Sequence, residues 1–147
     1  MNPPLRLLGD FQGERGKSPD WLVQLEERRM WVAADVVGHN YTFILPDMNG
    51  RITFDRRSAK LKRTTRNRPI PSWAFYLSGV TCELARTDLE LDGAVVVIAG
   101  DEPPGPRYEH ALGMAFAALW YDVNQHPYTT ADLISLMENI QKDYLPD

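Results

Sequence analysis

The sequence contains one cysteine, Cys82, among 147 residues. No internal disulfide can form, and a reducing, cytoplasmic setting is expected. Histidine is scarce as well. His39, His110 and His126 stand far apart, and neither Cys-x-x-Cys nor His-Glu-x-x-His occurs, so no metal-ligand pattern is present. No apolar run approaches the roughly 18 residues that a membrane-spanning helix needs. The opening residues, MNPPLRLLGDF, lack the long apolar core and small-residue cleavage site of a secretion signal. The Gly-x-Ser-x-Gly elbow of many hydrolases is missing, and so is the Gly-x4-Gly-Lys-Ser/Thr loop of nucleotide-binding proteins. These absences leave a soluble chain with no implied cofactor, no metal and no membrane partner.

What the chain does have is an uneven charge. Between Arg51 and Arg68 stand eight basic residues and one acid, Asp55, a local charge of +7. The net charge is −4, so the remainder carries −11. A basic block in an acidic chain suits phosphates or a nucleic acid. A nucleic acid would be held through Arg56, Arg57, Lys60, Lys62 and Arg63. The segment RRSAKLKRTTRNR has no aromatic residue to stack on bases, and the favoured reading is an exposed, mobile connection.

The apolar pattern predicts a single α+β domain with a mixed or antiparallel sheet and helices packed on one face. Ser18 and Pro19 are read as the start of a helix running to about Arg29. MWVAADVV, YTFIL and RITF, separated by turn residues, are read as three antiparallel strands. A helix from about Trp73 to Arg86 carries the stripe Trp73, Tyr76, Val80 and Leu84, expected to face the sheet. AVVVIAG is a continuous apolar run, as in a strand buried on both faces. A Pro-Gly turn and a helix from about Pro106 to Tyr121 follow. Thr129 and Asp132 form a capping box for a last helix with Leu133, Met137, Ile140 and Tyr144 on one stripe.

The turn GDEPPGPRYEH, Gly100 to His110, holds the candidate site. A helix N-terminus offers unpaired N–H groups and the positive end of a dipole. Gly105 is small, but Pro104 and Pro106 donate no N–H. Arg107 supplies positive charge, whereas Asp101, Glu102 and Glu109 oppose an anion. Gly105, Arg107, Glu109 and His110 are the candidate ligand-binding residues. Glu109 lies one helical turn before Gly113, which predicts cleared space beside a carboxylate. His110 points about 100° away from Glu109, so the two do not form a dyad. Asp35, inside a strand, is read as a structural aspartate.

WAFYLSGV, Leu84 and LDGAVVVIAGDEPPG resemble the N-terminal, galactokinase-like domain of the GHMP sugar-kinase family. The likeness spans roughly Met30 to Tyr144 and is densest from Trp73 to Gly105. It implies a helix, a buried strand and a phosphate loop. In that family small residues, Ala-Gly-Leu-Ser-Ser-Ser or close to it, follow Pro-x-Gly and wrap the nucleotide phosphates. Here Pro106-Arg107-Tyr108-Glu109-His110-Ala111 stands instead. The sugar-binding Gly-Glu-His-Thr-Asp-Tyr is also missing, and no residue matches the catalytic Asp. The resemblance therefore implies a non-catalytic, degenerate domain that binds a small polar ligand or a protein partner. YEHALGMAFA is also similar to nucleoside deoxyribosyltransferases, which would make Glu109 a nucleophile on a sugar and so a catalytic residue. Against it, the spacing to Gly113 is about two residues too long for that family. An unrelated protein-interaction module is the third reading.

Overall fold

The computed structural model describes residues 2–145. Five strands form one mixed sheet in the order β1-β2-β5-β3-β4. They are β1 (Trp21–Leu25), β2 (Met30–Val36), β3 (Tyr41–Leu45), β4 (Gly50–Phe54) and β5 (Ala94–Gly100). Two hairpins, β1/β2 and β3/β4, flank the central β5. All neighbours are antiparallel except β3 and β5, which run parallel. The helices are α1 (Leu5–Arg15), α2 (Arg56–Lys60), α3 (Phe75–Leu84), α4 (Pro106–Val123) and α5 (Thr130–Asp143). No helix among the described residues is long and apolar enough to cross a membrane.

The α+β class and the mixed sheet are as the sequence implied, with additions and corrections. Trp21–Leu25 is an edge strand, not part of a helix. Trp21, Val23 and Leu25 alternate with Leu22 and Gln24, a period-two pattern that the Ser18–Pro19 start signal masked. Pairing with β2 and the bond from the Asp20 N–H to Asp35 (3.0 Å) hold the segment extended. The strands β2 and β3 are not neighbours, because β5 lies between them.

Each hairpin closes through a short 3-10 turn followed by one left-handed residue. Glu26–Arg28 leads to Arg29 at φ 49°, and Pro46–Met48 leads to Asn49 at φ 49°. Asn tolerates that conformation and Arg seldom adopts it. That is why LPDMNG reads as a turn and LEERRM does not.

Both faces of the sheet are covered. Alternate residues of the central strands, including Val32, Phe43, Val96 and Ile98, belong to the large core beneath the later helices. The opposite set, Trp31, Ala33, Val97 and Ala99, packs with Leu7 and Phe11 of α1. The chief neighbours of α3 are α2, α4 and α5. Of its expected stripe, Val80 and Leu84 are buried but Trp73 and Tyr76 are only half-buried. Leu77 completes the buried face. The stripe of α5 is buried as expected, and its Thr129–Asp132 capping box is present.

The β2–β3 connection wraps the start of β5 at Gly93. A Cβ there would lie 2.6 Å from the backbone of Gly38, His39 and Asn40. Glycine alone lets the chains approach, and bonds from Val37 to Gly93 and from Gly93 to Gly38 close the crossing.

The basic block is also more structured than a plain connection. Asp55 and Ser58 cap α2 reciprocally, and Arg63 bridges to Pro69. Arg56, Arg57, Lys60 and Arg63 are exposed. Lys62 is half-buried, with its ammonium 5.1 Å from the Tyr144 ring centroid.

Candidate functional site

The end of β5, the turn after it and the start of α4 meet the tips of both hairpins. This follows from register. Met30, the first residue of β2, pairs with Gly100 at the end of β5. The strand β3 runs alongside β5 in the same direction, so the turn after it emerges at that end too. The 3-10 turns therefore deliver Arg28 and Asp47 to the candidate site.

Arg28 is the hub of one network. Its Nε and Nη2 donate to the two oxygens of Glu102 at 2.9 and 3.2 Å. Nη2 also donates to the Arg107 carbonyl at 2.7 Å. Nη1 lies 3.4 Å from His110 Nδ1. Arg107 Nε approaches Glu102 at 3.2 Å. Glu102, expected to repel an anion, is thus itself the anion held between two guanidinium groups at the mouth of α4.

Asp47 is the hub of a second network. Oδ2 accepts from the Tyr108 hydroxyl and the Gly100 N–H, each at 2.7 Å. Oδ1 accepts from Arg6 Nε at 2.6 Å, and Arg6 Nη2 donates to the Gly100 carbonyl at 2.7 Å. Tyr108 is fully buried. Burial, with the Asp47 carboxylate beside it, pushes its phenol far above the ordinary range. Tyr108 is therefore a structural anchor.

The four candidate ligand residues share the start of α4 but do not converge. Gly105 adopts φ 157° and ψ −176°, a region almost reserved for glycine. The turn alone accounts for it. Arg107 is exposed and faces Glu102. Glu109 is half-buried, and no hydrogen bond or ion pair reaches its carboxylate among the described residues. Burial pushes that carboxyl up. His110 is half-buried against the edge of the Tyr76 ring, 5.3 Å between centroids. Burial, then Arg28 and Arg107, hold its imidazole below the usual value. The cleared space expected beside Glu109 is absent. A Cβ on Gly113 would meet Met137 Sδ at 2.7 Å and Tyr76 Cβ at 2.8 Å. Glycine there serves helix packing, because Met137 and Tyr76 fill the space beside it.

Next to the turn lies a shallow groove of about 320 Å³, lined by Glu27, Arg28, Arg29, Glu102, Pro103 and Arg107. Only Arg107 comes from the four candidates. Arg28, Asp47 and Tyr108 were not legible as site residues.

Asp35 is the structural aspartate expected. It accepts from Arg15 Nε and Lys17 Nζ at 2.9 Å each and from the Asp20 N–H. Burial pushes its carboxyl up, but the bonds from Lys17 and Arg15 outweigh this and bring it below the ordinary value. Among the described residues no group of three His, Cys, Asp or Glu side chains could hold a metal.

The Glu102 pairing carries a pH signature. Hydrogen bonds from Arg28 hold its carboxyl below the ordinary 4.5. A carboxyl lowered by folding adds stability that is complete above the unfolded pKa and lost as pH falls through the folded one. The stability gap between wild type and Glu102→Gln is therefore expected to be largest near neutrality and to narrow below about pH 4. Urea melts at about pH 7 and about pH 3.5 measure it. A gap that did not change with pH would contradict the pairing. No family model matches this chain, and no curated protein matches it.

Proposed function

We propose that the chain is a non-catalytic domain of GHMP sugar-kinase type, similar to the N-terminal domain of galactokinase, whose phosphate turn is closed by its own ion pairs. The observation that carries this reading is Glu102, clasped by Arg28 and Arg107 at the mouth of α4. An incoming phosphate would need those guanidinium groups and would meet a carboxylate already between them. Pro106 offers no N–H, and the Tyr108 hydroxyl is committed to Asp47. The succession of α3, β5, a Pro-Gly turn and α4 supports the likeness in element order.

In place of phosphoryl transfer, the groove beside the turn binds a small polar ligand. Its lining mixes Arg28, Arg29 and Arg107 with Glu27 and Glu102, so a neutral or zwitterionic ligand fits better than an anion. A sheet with one parallel pair lends no support to a deoxyribosyltransferase, for which five parallel strands are expected.

Incubation of the pure protein with Mg-ATP and a panel of sugars is expected to yield no sugar phosphate. ATP-dependent formation of one would overturn the reading. In thermal-shift assays with sugars and nucleosides, at least one compound should raise the Tm of wild type but not of the double variant Arg29→Ala, Arg107→Ala. A flat panel would remove the ligand from this groove.

A further inference from the structure

The basic block does not lie on a featureless loop. α2 stands beside α3, and the two helices enclose a groove of about 470 Å³. That size falls within the roughly 300–1,000 Å³ of small-molecule sites. Arg56, Arg57 and Lys60 line it from α2, and Arg86 from just beyond α3. Cys82 and Ala85 supply apolar surface between them. We infer that this groove binds a small phosphorylated molecule, its phosphate gripped by Arg57, Lys60 and Arg86 and its body resting on Cys82 and Ala85.

Several observations converge on that ligand class. Arg57 and Lys60 make no ion pair among the described residues, so their charge is uncompensated at the rim. Arg56 is braced from below, with Nη2 donating to the Leu91 carbonyl at 2.7 Å and Nε 3.5 Å from the Tyr41 hydroxyl. Those two bonds turn its planar fork inward, so Arg56 forms a fixed wall of the groove and the phosphate is left to Arg57, Lys60 and Arg86. The competing carboxylates are few. Glu83 pairs with Arg86 at a loose 3.7 Å, and Asp55 is spent as the cap of α2. Burial pushes the Cys82 thiol up to about 11, so it stays neutral and adds no opposing charge. A nucleic acid would need an open track with aromatic platforms, and neither is present in this notch.

The test is calorimetric titration of the whole protein with inorganic pyrophosphate at low salt. Three proteins are compared: wild type, Arg57→Glu with Lys60→Glu, and Arg63→Glu with Arg66→Glu. The last pair makes the same charge change on the same basic block outside the groove. All four side chains are exposed, so the fold should tolerate both changes. The groove variant is expected to bind at least about tenfold more weakly and the control pair within about threefold of wild type. Bound pyrophosphate should also slow alkylation of Cys82 by iodoacetamide. Equal weakening in both pairs would overturn the inference, because net charge and not the groove would then hold the anion. Absence of binding by wild type would overturn it too, as would a short oligonucleotide displacing pyrophosphate and binding more tightly. None of these outcomes bears on the turn before α4, which stands or falls by the sugar and nucleotide assays.

Discussion

Phe116→Ala is expected to cost the fold roughly 3–5 kcal/mol. Phe116 is fully buried in the middle of α4. Its ring meets Phe43 of the sheet edge-on at 4.7 Å and lies 6.2 Å from Tyr41 and 5.9 Å from Trp120. Edge-to-face pairs of this kind add about 0.5–1.5 kcal/mol beyond the area they bury. The hole left by alanine cannot collapse easily, because rings on two different elements border it. Denaturant melts measure the loss, and a cost below about 1 kcal/mol would show that α4 does not key into the sheet through this residue. The aromatic cluster is also what aims the start of α4 at the hairpin tips. The same variant should therefore lose any ligand response at the turn before it loses global structure.

Asp47→Ala is expected to cost about 3–5 kcal/mol for a different reason. Its carboxylate is only 9% exposed and accepts three hydrogen bonds. Truncation would leave the buried Tyr108 hydroxyl and the Gly100 N–H without partners, at about 1–3 kcal/mol each. Asp47→Asn separates geometry from charge. An amide oxygen can still accept from Tyr108 and Gly100, while the Arg6 pairing is lost. Because Arg6 is 45% exposed, that loss should be small, and Asn is expected to recover more than half of the stability that Ala removes. Equal losses for Ala and Asn in urea melts would show that the ion pair, and not the satisfied hydrogen bonds, holds the end of β5.

Elements with a strong local signal were legible in the sequence. AVVVIAG is the central strand because an unbroken apolar run can only be buried on both faces, and β5 has a helix layer on either side. The α5 helix carries its own start signal and a stripe that needs no partner to be recognised. Asp35 was legible as structural because a carboxylate in an apolar strand requires nearby cations, which Arg15 and Lys17 supply.

Long-range contacts decided the rest. The sequence PLRLLGDFQGERG buries only Leu7 and Phe11 and has two glycines inside the helix, so its local preference for helix is weak. α1 forms because those two side chains cover the second face of the sheet, while Arg6, Glu14 and Arg15 pair with residues far along the chain. The edge strand β1 likewise exists through pairing with β2, against a local helix-start signal. The candidate site was the least legible part. Gly105 and Arg107 stand together in sequence, but what they can bind is set by Arg28, some 79 residues before Arg107, and by Asp47. Those two arrive only when both hairpins align on β5. Strand register, which no local pattern encodes, turns an apparent phosphate turn into a closed ion-pair network.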